Sequence, residues 1–294
     1  MKRAHRLLPQ SPSLLLHTSS PRSRPPPPVA AGRRALSLLQ HHHLKPAHSS
    51  SPPFVHYDFA AAVQEEHRAR FLAWKAAGDS SPAPRPQLLS FQALPTYTLG
   101  RRQPAPSPAA AARLARPLTV DHAKSRYQYT PSVRQTSRGG LTTYHGPGQL
   151  VLWPVLDMRS ARLGVSSYAR LLEDATRALL AARFALDTYT NPEEPGVWVA
   201  GGRERKIAAL GVHHRRHVTA LGVALNVHVP VAGDDEGVNP WARFVPCGLE
   251  GKLVTSVAAE TGREGREWRE AWATDMEGLA EEWAARFEEG LLKG

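Results

Sequence analysis

The stretch KIAALGVHHRRHVTALGVALNV, residues 206–227, contains two apolar runs that flank a short basic segment. Lys206 to Val212 and Val218 to Val227 have the composition of β-strands, and only the five residues His213 to His217 separate them. Two such runs with a short connection predict a pair of adjacent strands. The stretch therefore predicts a β-hairpin with a basic tip.

Other periodic segments predict helices and further strands. Apolar residues at helical spacing predict helices at Asp58–Ala77, at Ser166–Phe184 and along a C-terminal stripe through Trp268, Trp272, Met276, Leu279, Trp283 and Phe287. Apolar runs predict strands at Leu88–Leu94, Leu150–Met158 and Val197–Val199. Pro154 predicts that its strand lies at a sheet edge or contains a bulge. Together these elements predict the α+β class, with a mixed, largely antiparallel sheet flanked by helices.

The N-terminal segment differs from the rest of the chain in composition. Residues 1–57 hold eight Lys or Arg and no Asp or Glu, and so carry eight of the formal net charge of +11. An acid-free segment containing Arg, Ser, Leu and His is typical of a mitochondrial transit peptide, and a disordered tail without a targeting role is the alternative. The runs Pro25–Pro28 and His41–His43 are low-complexity sequence that a packed core would not use.

The composition also sets the expected domain organisation. We expect a disordered tail with a transit peptide at residues 1–53 and a single domain at residues 54–294. Residues 103–117 are rich in Pro and Ala and predict a surface insertion. No stretch approaches the roughly 20 uninterrupted apolar residues of a membrane helix, so no membrane span is expected.

Cys247 is the only cysteine of the 294 residues. A single thiol cannot form an internal disulfide or a cysteine-rich zinc site. It follows Pro246 and precedes Gly248, an arrangement that suits a residue presented on a turn. Two interpretations remain, a buried inert thiol and a nucleophile.

The run RGGLTTYHGPGQ, Arg138 to Gln149, holds four glycines and a proline. Glycines let a ligand approach the backbone closely, and a structural turn is the alternative. The run matches neither the Walker pattern nor Gly-x-Gly-x-x-Gly, so a phosphate loop is not predicted.

Lys206 opens the first apolar run of the hairpin. An exposed surface lysine is the ordinary interpretation of such a residue. If Lys206 lies near Cys247, its ammonium favours the thiolate. A unit charge at ~4 Å is worth about 4 kcal/mol at an effective dielectric constant of ~20, which is enough to activate a thiol.

Four segments resemble those of the lipoyl(octanoyl) transferases in order and spacing. They are Arg138 to Gln149, KIAALG at 206–211, ALNV at 224–227 and PCG at 246–248, within a resemblance that covers roughly residues 57–285. The resemblance implies the α/β ligase-like fold shared with biotin and lipoate protein ligases. It also implies transfer of an octanoyl group from acyl carrier protein to a lipoyl-domain lysine. Eukaryotic members are mitochondrial, in agreement with the N-terminal composition.

The resemblance assigns roles to individual residues. It places the acyl-accepting cysteine at Cys247 and the lysine that favours its thiolate at Lys206. It places the acyl-binding residues at Arg138, Gly139, Gly140, Leu141, Thr142, Thr143, Tyr144, His145, Ala209, Leu210, Gly211, Gly222, Val223 and Ala224. The implied partners are octanoyl-acyl carrier protein as donor, and lipoyl domains of 2-oxoacid dehydrogenases and the glycine cleavage H protein as acceptors. We expect a monomer that needs no metal, cofactor or nucleic acid.

The implied reaction is a two-step acyl transfer. The Cys247 thiolate attacks the donor thioester, and the acceptor amine then cleaves the acyl-enzyme. Lys206 stabilises the thiolate first and then relays a proton. Backbone N–H groups near Gly211 or Gly248 are candidates to bind the oxyanion, with Tyr144 and His145 closing the site.

The chain departs from the family pattern at three places. Leu221 stands where many members have His, and Gln92-Ala93 stands where Glu-His is usual. The Ala/Pro-rich insertion after Arg102 is also unusual. The first departure puts in doubt any essential role for that histidine, and none removes the Cys–Lys pair.

Two other functions remain open. An ATP-dependent lipoate or biotin ligase on the same fold would need an adenylating loop and would not need Cys247. A nucleic-acid-binding protein would use Arg215, Arg216 and the tail, but the charge is mostly confined to residues 1–57 and the basic tip lacks interleaved aromatics. In a transferase, the tip would meet the acidic acyl carrier protein or would simply be a solvated turn.

Overall fold

The computed structural model describes residues 38–46, 54–78, 82–122, 124–245, 251–263 and 265–293. All of them belong to one compact unit. The strands are β1 (Gln40–His43), β2 (Phe54–Val55), β3 (Gln87–Ala93), β4 (Thr96–Leu99), β5 (Leu118–His122), β6 (Ser125–Tyr129), β7 (Ser132–Gln135), β8 (Thr143–His145), β9 (Gln149–Val155), β10 (Thr188–Thr190), β11 (Gly196–Val199), β12 (Arg205–Arg215), β13 (Val218–Asn226) and β14 (Leu253–Val254). The helices are α1 (Tyr57–Ala77), α2 (Pro108–Leu114), α3 (Val165–Phe184), α4 (Val257–Glu260) and α5 (Arg266–Lys293), with a 3₁₀ turn at Pro240–Arg243.

A nine-stranded sheet forms the centre of the molecule. Its main path has the order β1-β3-β9-β13-β12-β11-β10, while β2 pairs with β3 and β14 pairs with β12. The pairs β1–β3, β2–β3 and β12–β14 are parallel, and the other pairs are antiparallel. A three-stranded sheet, β7-β4-β8, and the β5–β6 pair complete the architecture. The predicted α+β class with a mixed, largely antiparallel sheet is confirmed.

Side-chain alternation gives the large sheet two buried faces. Leu150 and Leu152 of β9 pack in the cluster that contains α3 and α5, whereas Val151 and Trp153 pack in the cluster that contains the start of α1. Successive residues of a strand point to opposite faces, so one strand supplies both cores. The sheet is therefore covered by α3 and α5 on one side and by α1 on the other.

The predicted helices and the hairpin are confirmed. α1 and α3 begin one residue before the predicted starts, and Gly78 caps the C-terminus of α1 with a left-handed φ of 61°, which suits glycine. β12 and β13 pair antiparallel around the basic tip. Met276, Leu279, Trp283 and Phe287 are buried along α5, as the stripe predicts. The side chains of Trp268 and Trp272 lie outside what the structure describes.

Pro154 does not lie on an edge strand, because β9 runs between β3 and β13. Regular pairing of β9 with β13 stops at Leu152↔Val223. Just beyond, Leu221 has a left-handed φ of 63°, and a Cβ on Gly222 would lie 3.0 Å from the Pro154 ring. The irregularity in β13 makes room for the ring and removes the need for an N–H at this position.

The expected tail boundary at residue 53 is corrected at β1. This strand extends the large sheet at one edge, whereas the low-complexity His41–His43 run predicts sequence outside the fold. His41 and His43 each bond the Ser90 hydroxyl at 2.7 Å, and His42 bonds the Gln87 amide oxygen at 2.8 Å. Leu39 packs into the main core. A four-residue polar strand is too short to show a periodic pattern in the sequence. Its hydrogen-bond partners, Ser90 and Gln87, are distant in sequence, so local residues do not reveal them either.

A chain that begins at residue 47 is expected to be less stable than one that begins at residue 36. Loss of β1 exposes the edge of β3 and removes the burial of Leu39, worth about 2 kcal/mol, and several hydrogen bonds worth about 1 kcal/mol each. The free energy of unfolding in urea should fall by about 3–5 kcal/mol. Equal urea midpoints for the two chains would show that β1 does not stabilise the domain.

The Pro/Ala-rich segment near residues 103–117 forms the short surface helix α2. Ser107 caps its N-terminus by accepting from the Ala110 N–H at 3.3 Å, and Leu114 is its buried residue. Arg113 and Arg116 both pair with Glu236, at 2.7 and 2.9 Å. The segment is therefore a surface element held at its C-terminal end. Among the described residues, no helix has the length and apolarity needed to cross a membrane.

Candidate active site

The segment that contains β8 and the distant β12–β13 hairpin meet at a narrow cavity of about 30 Å³. This volume admits only about two water molecules. The residues that line it are Tyr57, Arg138, Thr143, His145, Trp153, Ala209, Leu210, Gly211, Leu221, Gly222, Val223 and Ala224. The structure thus brings together nine of the fourteen residues at which the family resemblance places acyl binding.

Arg138 fixes the loop before β8. Its guanidinium is buried and donates to the carbonyls of Gly139, Leu141 and Thr98 and to the Thr98 hydroxyl. Its stem passes so close to Gly211 that a Cβ there would lie 2.8 Å from the Arg138 Cδ. Arg138 therefore joins the glycine-rich loop to the first strand of the hairpin.

A chain of hydrogen bonds determines which nitrogen of His145 carries its proton. The Asn226 amide donates to the Thr255 carbonyl at 3.0 Å, so its oxygen faces Gln149 and accepts from the Gln149 amide at 2.9 Å. The Gln149 amide oxygen is then left to accept from His145 Nδ1 at 2.8 Å. His145 consequently carries the proton on Nδ1 and keeps the lone pair on Nε2.

Burial is the main reason that the pKa of His145 falls to about 4, and the positive charge of Arg138 adds to the effect. The hydrogen bond that His145 donates to the Gln149 amide oxygen opposes this fall in pKa. The ring is stacked on Tyr57 at 5.5 Å between centroids and is only 6% exposed. His145 is therefore neutral at physiological pH and does not act as a cationic donor to an oxyanion.

Acid is expected to destabilise the protein partly through His145. In the unfolded chain its pKa returns to about 6.5, so the unfolded state binds the extra proton as pH falls. The contribution is complete above pH 6.5 and is lost between about pH 6.5 and 4, to a total of about 3 kcal/mol. When the free energy of unfolding in urea is measured from pH 4 to 7, the His145→Gln variant should lose less stability toward low pH than the wild type does. Parallel slopes for variant and wild type would contradict the assignment.

Thr143 and Tyr144 point in opposite directions from β8. Thr143 lines the narrow cavity, and its buried hydroxyl has no hydrogen-bond partner among the described residues. Tyr144 packs instead against Tyr97 and Trp241, at 5.3 and 5.7 Å between ring centroids. A strand places neighbours on opposite faces, so only Thr143 is available to a group in the cavity.

A larger cavity of about 750 Å³ adjoins the narrow one, and Arg138, Leu210 and Gly211 line both. Gly139, Gly140 and Lys206 line the larger cavity. Leu141 and Thr142 line neither. Leu141 is exposed, and the Thr142 hydroxyl accepts from the Gln103 amide at 2.7 Å.

Lys206 lies on the floor of the larger cavity, at 6% exposure. Its ammonium donates to the Pro195 carbonyl at 3.2 Å and lies 4.6 Å from the centroid of the Trp198 ring. Trp198 faces Lys206 directly across the β11–β12 pair. A carbonyl and an aromatic face both favour a cation, so the charged form is well accommodated.

Cys247 lies outside the described residues, but the segment that follows it is anchored beside Lys206. Val254 of β14 pairs with Lys206, and the Thr255 N–H donates to the Lys206 carbonyl at 3.0 Å. The ammonium of Lys252 lies 5.3 Å from the centroid of the same Trp198 ring. The described residues contain no group of three or more His, Cys, Asp or Glu side chains placed to hold a metal ion.

A protein-family model described as the lipoyl protein ligase A/B catalytic domain matches residues 66–269. The chain belongs to this family. Among its relatives in the family, a probable octanoyltransferase of Schizosaccharomyces pombe is 33% identical over 204 residues, which is 69% of this chain and 81% of the relative. The octanoyl-[acyl-carrier-protein]:protein N-octanoyltransferase LIPT2, mitochondrial, of Danio rerio is 34% identical over 210 residues, 71% of this chain and 80% of the relative. The family resemblance predicted from sequence is confirmed.

The chain is also similar to a solved structure, the putative lipoate protein ligase Ta0514 of T. acidophilum. The TM-score is 0.47 at 14% identity, over 86% of this chain and 92% of the other.

Sequence reasoning missed three residues that line the narrow cavity. Tyr57 opens α1, Trp153 comes from β9, and Leu221 differs from the family pattern without any sign in the sequence that it lines a cavity. The Leu221 N–H donates to the buried Gln64 amide oxygen at 3.1 Å, which connects β13 to α1. The strand face that lines a cavity is determined by how the strands pair. The identities of these three residues do not reveal that pairing.

A second departure from the family pattern, Gln92, anchors the glycine-rich segment Arg138 to Gln149. Its amide oxygen accepts from the Gly148 N–H at 2.9 Å. The residue is buried, so the bond is protected from water. With Gln92 in place of the usual family residue, the chain still has a buried polar contact that positions this segment.

Proposed function

We propose that the chain is an octanoyltransferase that moves an octanoyl group from octanoyl-acyl carrier protein to a lipoyl-domain lysine, through a thioester on Cys247. One observation carries the proposal: the segment from Arg138 to His145 and the β12–β13 hairpin, which are distant in sequence, meet around two adjoining cavities, and Lys206 lines the larger one. The names of the relatives support the same activity.

Chain reach supports the pairing of Cys247 with Lys206. Lys252, five residues after Cys247, has its ammonium over the same indole ring as Lys206. Five extended residues span at most about 17 Å, and this reach would allow the Cys247 thiol to meet Lys206 in the proposed mechanism. In the proposed first step, the Cys247 thiolate attacks the donor thioester while the Lys206 ammonium compensates its charge.

The two adjoining cavities could together hold the octanoyl tail and the thioester carbonyl of the acyl donor. Trp153, Leu221 and Val223 supply apolar surface in the narrow cavity, where one end of the octanoyl tail would be buried. Because this cavity admits only about two waters, the acyl chain would extend into the larger one. The unpartnered Thr143 hydroxyl would donate to the acyl carbonyl oxygen.

The finer assignments belong to the same proposal. Lipoyl domains of 2-oxoacid dehydrogenases and the glycine cleavage H protein would be acceptors, and the monomer would act in the mitochondrion. The vertebrate relative's name and the acid-free N-terminal segment support that location. The exposed residues Arg215 and Arg216 at the hairpin tip are suited to an acidic carrier protein.

A steady-state assay tests the activity and separates it from an ATP-dependent ligase. The full chain is mixed with an unmodified lipoyl domain and either octanoyl-acyl carrier protein alone or free octanoate with ATP and Mg²⁺. We expect octanoylation of the domain in the first mixture and none in the second. Modification only in the second mixture would establish the ligase and reject the transferase.

A further inference from the structure

When the lipoyl-domain lysine is octanoylated, its side-chain nitrogen loses two protons. A lysine side chain enters as R–NH₃⁺ and leaves as an amide N–H. If Lys206 gives its proton to the departing carrier thiolate in the first step, its neutral amine can take back only one proton in the second. The second proton needs another acceptor in the cavity that holds Lys206.

Glu173 of α3 is a carboxylate in that position. It lines the larger cavity with Lys206 and is half-buried. Its Oε1 accepts from the Gly196 N–H at 2.8 Å, while Lys206 donates to the carbonyl of the preceding residue, Pro195. A Cβ on Gly196 would lie 3.4 Å from both Cδ and Cε of Lys206. The Glu173 carboxylate and the Lys206 side chain therefore both contact the Pro195–Gly196 segment.

We propose that Glu173 is the residue that binds the acceptor ammonium and takes its first proton. The inference rests on the proposed function. R–NH₃⁺ gives one proton to the Glu173 carboxylate, and the resulting amine attacks the thioester carbon. As the C–N bond forms and the C–S bond breaks, the second proton passes to the Lys206 amine. The Cys247 thiolate is released beside the Lys206 ammonium, and Glu173 returns its proton to solvent.

The surroundings of Glu173 suit this exchange. Burial raises the pKa of its carboxyl and the nearby Asp174 adds to the rise, whereas the Gly196 bond, Lys206 and Arg177 oppose it. A carboxylate with a raised pKa accepts a proton more readily than an ordinary one. Arg170, Glu193 and Glu194 are the other charged residues, besides Arg138 and Lys206, that line the cavity.

The test measures the two half-reactions separately with Glu173→Gln in the full chain. Glutamine retains an oxygen for the Gly196 N–H, so the backbone contact is kept. The matched control is Asp174→Asn, which removes the same charge from the exposed neighbour on the helix. Rapid-quench mass spectrometry follows acyl-enzyme formation with octanoyl-acyl carrier protein, and then its discharge by a lipoyl domain.

We expect Glu173→Gln to form the acyl-enzyme at the wild-type rate and to discharge it about 10- to 100-fold more slowly. The defect should shrink as pH rises toward the ordinary lysine pKa of about 10.4, where the acceptor is already neutral. Asp174→Asn should discharge within about threefold of the wild-type rate, because burial and not Asp174 is the largest cause of the raised pKa of Glu173. Discharge of Glu173→Gln at the wild-type rate, or equal slowing of both steps, would overturn the role of Glu173. Absence of a wild-type acyl-enzyme would instead overturn the proposed function, and this inference with it.

Discussion

Replacing Lys206 with methionine is expected to lower the transfer rate by about 1000-fold at pH 7.5. A thiol with an unperturbed pKa of about 8.5 is about one-tenth thiolate at that pH, so loss of the ammonium costs up to about tenfold. Loss of the proton relay costs at least about 100-fold more. Methionine preserves much of the apolar stem that packs beside Gly196 and Trp198. Steady-state octanoylation of a lipoyl domain measures the effect.

Lys252→Met is the matched control for this substitution. The Lys252 ammonium also lies over the Trp198 ring, but it is paired with Glu194 and Glu204. We expect its loss to change the rate less than threefold, because surface ion pairs contribute about 0–1 kcal/mol. If Lys206→Met and Lys252→Met had similar rates, Lys206 would have no special part in the chemistry.

Gly222→Ala is expected to destabilise the protein and to abolish transfer. A Cβ at this position would lie 2.2 Å from the Leu152 carbonyl oxygen and 3.0 Å from the Pro154 ring. Both neighbours belong to β9, so the two central strands of the sheet would have to separate. We expect a loss of about 3 kcal/mol, which corresponds to about 10 °C in Tm for a domain of this size.

Gly139→Ala provides the comparison for Gly222→Ala. No atom lies within 4 Å of a Cβ built on Gly139, and its φ is not in the left-handed region. Thermal unfolding of this variant should stay within about 0.5 kcal/mol of wild type. A Gly222→Ala protein with wild-type Tm would show that the β9–β13 contact adapts more easily than the structure indicates.

Periodicity made the long elements predictable. α1, α3 and α5 each bury a stripe of apolar residues, and β12 and β13 are separated by a short polar tip. Local sequence determines such elements. β1 escaped prediction because it depends on Ser90, Gln87 and the core contact of Leu39, which are visible only after folding.

The part of the candidate site that comes from the segments resembling the family could be predicted from the sequence. Arg138, Gly211 and Gly222 meet at one cavity, as their resemblance to family segments implies. Tyr57 and Trp153 reach the same cavity through the packing of α1 on β9, and Glu173 reaches the larger one from α3. These contributions depend on register and on the left-handed residue Leu221, which no pattern of residue types reveals.

The most direct test of the account is intact mass spectrometry of the purified full chain mixed with octanoyl-acyl carrier protein in the absence of ATP. We predict a gain of one octanoyl group, about 126 Da, that Cys247→Ser lacks and that a lipoyl domain discharges from the wild type. An unchanged mass, or an equal gain in Cys247→Ser, would contradict a thioester at Cys247.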